Sequence, residues 1–429
     1  MNNLKALLVQ SRRYNESNLL DEFEALAQTA GYDILGSRDI VGPPSAKFGI
    51  SSGNVEEIAT WIEINKPDVV LFSPQLRSSQ VFRLMEAWNT EVRDRTQLIL
   101  EIFDRHAKTA QAKLQIEQAR LSYELPFERY QVRQRLQKEQ TGDRPTTDQV
   151  GVGEDLLNLR VQAIRRRISS IQQKLEKISM AQQLKKKKRA KEGFIELALA
   201  GYTNAGKSTL HSALTGSSVL IADQLFTTLS TKAAELSLPG RQVVLSDSVG
   251  FISGLPKSLY QAFNTTLMEI GDADVIILVV DGSDSSSEML RKLHACQDAF
   301  TEVGINGIPM IVALNKVDLL DESTIIERTG TLEEEGYHVI PISAKECINL
   351  EKLMETVKEL LPALNMYTLE LPYDNESMSL LSWLYEVGHI ADQEYNENSI
   401  RVKVLLTLEM AEKVRRILQD GSLDLAHTT

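Results

Sequence analysis

Apolar and polar positions change their period several times along the chain, and each change marks a different element. Residues 4–9 (LKALLV) are a short apolar run, as in a buried strand. In residues 18–30, Asn18 precedes a helical face of Leu19, Leu20, Phe23, Leu26 and Ala27. Strands are predicted over 33–40 and 67–72 (PDVVLF), and helices over 55–65 and 79–88. Strands alternating with helices predict a parallel α/β domain over residues 1–104.

From about residue 94 the strand signals mostly stop. Residues 107–125 have a strong helix-forming composition, which Pro126 is expected to break. Gly142, Pro145, Gly151 and Gly153 predict a loop over 139–153. Leu157, Val161, Ile164, Ile168, Ile171, Leu175 and Ile178 then repeat with alternating spacings of four and three, the seam of a coiled coil. The expected object over 105–192 is an antiparallel helical hairpin with its tip near 139–155; one long isolated coiled coil is the alternative. Alternation returns in 193–363, with strands over 194–200, 242–246, 274–280, 310–314 and 338–341. Residues 364–429 read as a small α+β domain: a β-like LELP, a helix over 380–388, a strand over 400–406 and a helix over 409–420.

The expected whole is a multidomain α/β protein of 429 residues. Its longest notable apolar run is six residues, 275–280. A membrane span needs about 20, so neither a spanning helix nor, in residues 1–30, a secretory leader is expected. Two cysteines, Cys296 and Cys347, give no disulfide framework or zinc cluster and fit a reduced, cytoplasmic setting. The six histidines show no metal-ligand spacing.

Net charge is −12, which by itself speaks against a nucleic-acid binder, but the charge is unevenly spread. Residues 160–191 hold twelve basic side chains and one acid, a net +11 that leaves −23 on the remainder. Arg160, Arg165, Arg166, Arg167, Lys185, Lys186, Lys187, Lys188 and Arg189 are therefore candidate RNA contacts. A solvated helix face is the plainer reading, weakened because few acids stand four residues away.

Residues 201–208, GYTNAGKS, fit the phosphate-binding pattern GxxxxGK[ST] between an apolar strand and a helix. Backbone amides over Gly201, Tyr202, Thr203, Asn204, Ala205, Gly206, Lys207, Ser208 and Thr209 can surround phosphates at a positive helix N-terminus. Lys207 can reach the β- and γ-phosphates, and Ser208 can ligate Mg2+. Three further elements follow in order, each after a predicted strand. Asp247, of DSVG, can hold Mg2+ through water, and the Gly250 amide can sense the γ-phosphate. Asn315, Lys316 and Asp318 form NKVD. The Asp318 carboxylate can accept hydrogen bonds from guanine N1–H and the 2-amino group, which adenine lacks. Ser343, Ala344 and Lys345 can bring a backbone amide to guanine O6. Together the four specify a GTPase. Thr227 and Thr228 are candidates to complete the Mg2+ site, with Thr228 preferred. Asn204 is a candidate K+ ligand, with loop stabilisation an equal reading. Phe251 stands where many small GTPases carry a water-orienting glutamine, and residues 219–235 contain no arginine. Slow intrinsic hydrolysis and strong activation by a partner are expected.

GYTNAGKSTL, ADQLFTTL, DSVGFISGLP, NKVDLL and SAK together resemble the HflX family of translational GTPases. So do DRTQLIL (94–100), KLQIEQARLSYELP (113–126) and LPYDNESMSLLSWLYEVGHI (371–390). The resemblance implies a GTP- and GDP-binding, Mg2+-dependent GTPase bound to the ribosome, mainly to large-subunit RNA. It also implies a hairpin tip rich in glycine, roughly GGxGxRGPGETQLE. Here 148–159 read DQVGVGEDLLNL, without the arginine and the Gly-Pro-Gly. Thr227 replaces the usual alanine, Ser230-Thr231 the usual Asp-Pro, and KFGISSGNVEEI lacks part of a glycine-rich turn. The implied outcome is splitting or rescue of stalled or stressed ribosomes. A large-subunit assembly GTPase, or a switch whose basic coiled coil binds a protein or membrane, are the alternatives. No feature points to DNA.

Overall fold

The structure, a computed structural model, describes residues 3–107, 109–141, 147–192, 194–216, 232–238, 241–247, 250–253, 270–418 and 423–424. It divides into two compact units.

The first unit opens with β1 (Lys5–Arg12), α1 (Leu20–Thr29), β2 (Asp33–Val41), α2 (Ser52–Asn65), β3 (Val69–Ser73), α3 (Ser78–Trp88), β4 (Glu91–Asp94) and α4 (Arg95–His106). The strands form one parallel sheet in the order β2-β1-β3-β4. The apolar runs of β1 and β3 lie at its centre, buried on both faces as crossover helices require. β4 carries no strand signal in the sequence; its register against β3, Val69 to Glu91 through Phe72 to Asp94, creates it. The residue that caps α1 is Leu19, not Asn18; the Asn18 amide instead accepts from Leu20 N–H (3.0 Å) and from Gln10 Nε2 (2.7 Å).

Two long helices follow, α5 (Ala110–Thr141) and α6 (Thr147–Glu192). Arg167 holds Glu117 through two bonds of 2.7 and 3.0 Å, and Arg160 lies 3.8 Å from Glu128. The pairing runs in opposite directions, so the hairpin is antiparallel. Val161, Ile164, Ile168, Leu175 and Ile178 are half-buried and Ile171 buried, as the seam predicts; the Leu157 side chain lies outside the described residues. Pro126 does not break α5. A proline inside a helix costs about 3 kcal/mol, which neighbouring tertiary contacts offset: Phe127 stacks on Phe82 of α3 at 4.2 Å, with Tyr130 at 5.3 Å from the same ring. The expected tip loop is also shorter. Helix continues to 141 and resumes at 147, so Gly151 and Gly153 lie within α6, and 142–146 fall outside the described residues.

The second unit contains β5 (Ile195–Gly201), α7 (Lys207–Thr215), β6 (Lys232–Leu238), β7 (Arg241–Asp247), β8 (Val275–Asp281), α8 (Ser286–Val303), β9 (Met310–Asn315), a 3-10 turn (Val317–Leu319), α9 (Glu322–Glu334), β10 (Val339–Pro341) and α10 (Leu350–Leu360). The sheet order is β10-β9-β8-β5-β7-β6, parallel except for the β6–β7 pair. Every residue of β8, VIILVVD, is buried. The chain ends with β11 (Asn365–Pro372), α11 (Asn375–Val387), β12 (His389–Tyr395), β13 (Ser399–Leu406), α12 (Leu408–Ile417) and β14 (Leu423–Asp424). Its antiparallel order, β12-β13-β11-β14, is the split β-α-β arrangement. Tyr367, Leu369 and Leu371 of β11 meet Ile400, Val402 and Val404 of β13 in a separate core. No helix of the described residues is long and apolar enough to cross a membrane.

Candidate functional site

The site lies at the carboxyl ends of β5, β7, β8 and β9, where an open α/β sheet exposes backbone groups to a ligand. Gly201 ends β5 at φ +144°, and a Cβ there would meet Val279 O at 2.3 Å. Only glycine lets the loop leave the sheet so close to β8. Tyr202 and Thr203 are buried, whereas Asn204, at φ +63°, stands exposed at the rim. Ala205 is buried, and Gly206 precedes α7 at φ +95°.

Lys207 is the first residue of α7 and is buried. Its Nζ donates to Gly201 O (3.0 Å) and Tyr202 O (2.7 Å), so its own loop aims the ammonium. Burial pushes its pKa down, partly opposed by Asp247. Ser208 Oγ donates to Asp247 Oδ2 at 2.8 Å, placing a hydroxyl and a carboxylate side by side. Such hard oxygen donors suit Mg2+. Thr209, half-buried in α7, completes the loop. A Cβ added at Gly250 would meet Thr203 and Lys207 within 3.0 Å. Thr227 and Thr228 lie outside the described residues.

The base-side elements meet the same loop. Asn315, buried at the end of β9, donates from Nδ2 to Ala205 O (2.8 Å) and accepts at Oδ1 from Ala344 N–H (2.9 Å). It is a strut between phosphate loop and SAK loop, so the Ala344 amide is committed to Asn315. Lys316 pairs with Asp281 at 2.7 Å. Ser343 Oγ donates to Asp318 Oδ1 at 2.6 Å, and its backbone bridges Ile348. Lys345 is exposed. Phosphate-loop, Mg2+-side and guanine-side candidates thus converge, although 110 residues separate Ala205 from Asn315.

Asp281 escaped the sequence reading. A carboxylate ending a wholly buried strand was its signal, since such a group needs a partner. Phe251 is buried edge-on to Phe300 of α8, with ring centroids 5.2 Å apart, so its ring is part of the core.

Of the RNA candidates, Arg160, Arg165, Arg166 and Arg167 lie on the first unit. Arg165 and Arg166 are exposed on α6 and make no ion pair with a described residue. Arg160 and Arg167 do have acidic neighbours, supplied by α5 across the hairpin rather than from their own helix. The side chains of Lys185, Lys186, Lys187, Lys188 and Arg189 lie outside the described residues. Among the described residues no three His, Cys, Asp or Glu side chains form a metal cluster.

Three family models match in succession: "GTP-binding GTPase N-terminal" over residues 17–104, "GTP-binding GTPase Middle Region" over 106–189 and "50S ribosome-binding GTPase" over 196–316. GTPase HflX of Thermococcus kodakarensis is 34% identical over 92% of this chain and 90% of its own. GTPase HflX of Caldanaerobacter subterraneus is 34% identical over 94% and 91%. A crystal structure of a GTP-binding protein from Sulfolobus solfataricus with GDP is 27% identical, covering 83% of this chain and 98% of its own, at a TM-score of 0.44. The chain belongs to the HflX family of GTPases, and it is a GTP-binding enzyme that hydrolyses GTP.

Proposed function

We propose that this GTPase binds the ribosome, mainly through large-subunit RNA, and leaves it after hydrolysis, splitting or rescuing stalled particles. The carrying observation is the outer face of α6. Arg165, Arg166, Lys174 and Lys177 are exposed there, Arg166 and Lys177 opposite the apolar seam and Arg165 and Lys174 at its flanks. A cationic face on a helix whose apolar side is already covered suits a phosphate backbone. The matched description, "50S ribosome-binding GTPase", agrees. In this reading residues 1–104, 105–192, 193–363 and 364–429 act as N-terminal domain, docking hairpin, G domain and C-terminal domain.

At the nucleotide, the amides of 201–209 and Lys207 bind phosphates. Ser208, Thr228 and Asp247 would hold Mg2+, which would supply charge neutralisation for the phosphates. Gly250 senses the γ-phosphate. Asp318 reads guanine N1–H and the 2-amino group, held by Ser343, while Asn315 and Lys316 shape the pocket. With the Ala344 amide bonded to Asn315, the Lys345 amide is the donor for O6. Asn204, at the rim, would either ligate K+ or stabilise the loop. The buried Phe251 ring orients no water, so the missing group, worth about 10³–10⁵ in rate when a partner supplies it, comes from the ribosome.

The test is GTP turnover with and without purified ribosomal subunits at low and high salt. Strong stimulation by large subunits, lost at high salt and in Lys207→Ala, is expected. Stimulation only by precursor particles would replace the reading with an assembly role. No stimulation by any particle would refute ribosome binding and leave the GTPase standing.

A further inference from the structure

Asp281 ends β8 with its carboxylate divided between two partners. Oδ1 accepts from Ser283 N–H (3.0 Å) and from Ser283 Oγ (2.6 Å). Oδ2 accepts from the Lys316 ammonium at 2.7 Å. The two Ser283 bonds fix the rotation of the carboxylate, so its own turn, and not Lys316, sets where Oδ2 stands. That turn is tied down on both sides. Gly282 N–H donates to Asn315 O (2.8 Å), and Arg328 Nη1 of α9 donates to Gly282 O (3.1 Å). A Cβ at Gly282 would stand 2.9 Å from Asn315 O, so glycine permits the approach. Strands β8 and β9 are in register here, with Asp281 opposite Asn315. Asp281, Gly282 and Ser283 belong to none of the four nucleotide motifs.

Lys316 stands between Asn315, which reaches the phosphate loop at Ala205, and Asp318, the reader of the guanine edge. A purine running from Asp318 towards the phosphate loop must pass it. The Lys316 backbone is left-handed, φ +68°, and with Nζ on Asp281 its methylenes are drawn across to the end of β8. A lysine stem held in this way offers apolar surface while its charge is satisfied elsewhere. The side chains of the pair are only 26% and 10% exposed, so water and salt compete little for it.

We propose that Asp281 is a positioning residue for nucleotide binding, holding the Lys316 stem ready against the ring face of the base. Recognition is then split. Asp318 reads the edge of the base, and Asp281 acts through Lys316 on the ring face, which guanine shares with hypoxanthine. Ordering one long side chain before the ligand arrives removes a cost of roughly two- to tenfold in affinity. The inference rests on the proposed nucleotide site. If the unaltered protein binds no nucleotide, that site reading fails and this one falls with it; if nucleotide binds but does not respond to Asp281, only this one fails.

The experiment measures the affinities of the full chain for GDP and inosine diphosphate by titration calorimetry, in the unaltered protein, Asp281→Asn, Lys316→Met and the double variant. An asparagine at 281 still accepts from Ser283 and keeps the turn, but lacks the charge that holds the ammonium. Lys316→Met removes the ammonium and keeps an unbranched apolar chain. Asp281→Asn is expected to weaken GDP about fivefold and inosine diphosphate by the same factor, leaving their ratio unchanged. In the Lys316→Met background Asp281→Asn should cost less than about twofold, because a residue that acts only through Lys316 has nothing left to act on. A GDP affinity within about twofold of the unaltered protein in Asp281→Asn overturns the proposal. So does an undiminished loss in the Lys316→Met background, which would make Asp281 a support of the turn alone. A changed ratio of the two nucleotides overturns it too, since it would mean that Asp281 acts on the turn carrying Asp318.

Discussion

Gly206→Ala probes the strut that joins the two halves of the site. Gly206 has φ +95°, where an L side chain is strained by about 1–2 kcal/mol. Its new Cβ would stand 2.1 Å from Asn315 Nδ2 and 3.4 Å from Asn315 Cγ. Asn315 is only 3% exposed, so its amide has little room to retreat. Moving it breaks the bonds to Ala205 O and from Ala344 N–H, at about 1 kcal/mol each or more because the groups left behind are buried. The sum is about 3–4 kcal/mol, equivalent to roughly 10²–10³ in affinity. Isothermal titration with GDP should show that loss. The matched control is Gly216→Ala. Gly216 also has positive φ, +66°, but a Cβ there meets nothing within 4 Å. That variant should lose about 1 kcal/mol of stability and keep its GDP affinity. If Gly206→Ala binds GDP within about threefold of the unaltered protein, or Gly216→Ala loses affinity equally, the strut does not organise the site.

Three other outcomes are expected. Cys296 is buried and its thiol is pushed up to about 12 by burial, whereas Cys347 is exposed. A thiol reagent at pH 8 should therefore modify one cysteine in the folded protein and two in denaturant; rapid labelling of both in the folded protein would contradict the placement. Both ring nitrogens of His211 in α7 are buried without a partner among the described residues, so His211→Phe should raise the melting temperature by the equivalent of about 1–2 kcal/mol. Asp94 is buried, accepts from Leu76 N–H (3.0 Å), Gln97 N–H (3.1 Å) and Tyr123 Oη–H (2.7 Å), and burial outweighs these bonds to raise its pKa. The folded state then holds the Asp94 proton more tightly than the unfolded chain does. Its contribution falls as pH rises from the usual carboxylate range to the raised value. The stability of the unaltered protein relative to Asp94→Asn, read from urea midpoints, should decline across that window; a rise would refute the assignment.

The amino-acid sequence by itself determined the elements whose signal is local. Apolar runs such as 69–73 and 275–280 can be covered only as buried strands, and the seven-residue seam of α6 can be covered only by a second helix. The site motifs were equally legible, because glycines at fixed spacing before Lys207 and Ser208 encode a backbone path rather than a tertiary contact. Tertiary structure decided the rest. β4 and β12 are short or charged, and they are strands because Phe72 and Val402 offer partners. Pro126 stays in a helix because Phe127 has Phe82 to stack on. Acids that looked absent along α6 came from α5. Asn315 as a strut, Asp281 as the partner of Lys316, and Phe300 behind Phe251 are contacts between distant segments. Periodicity and motif spacing report what a residue needs over a few neighbours, whereas the buried partner that satisfies it is fixed only when the sheets and helices pack.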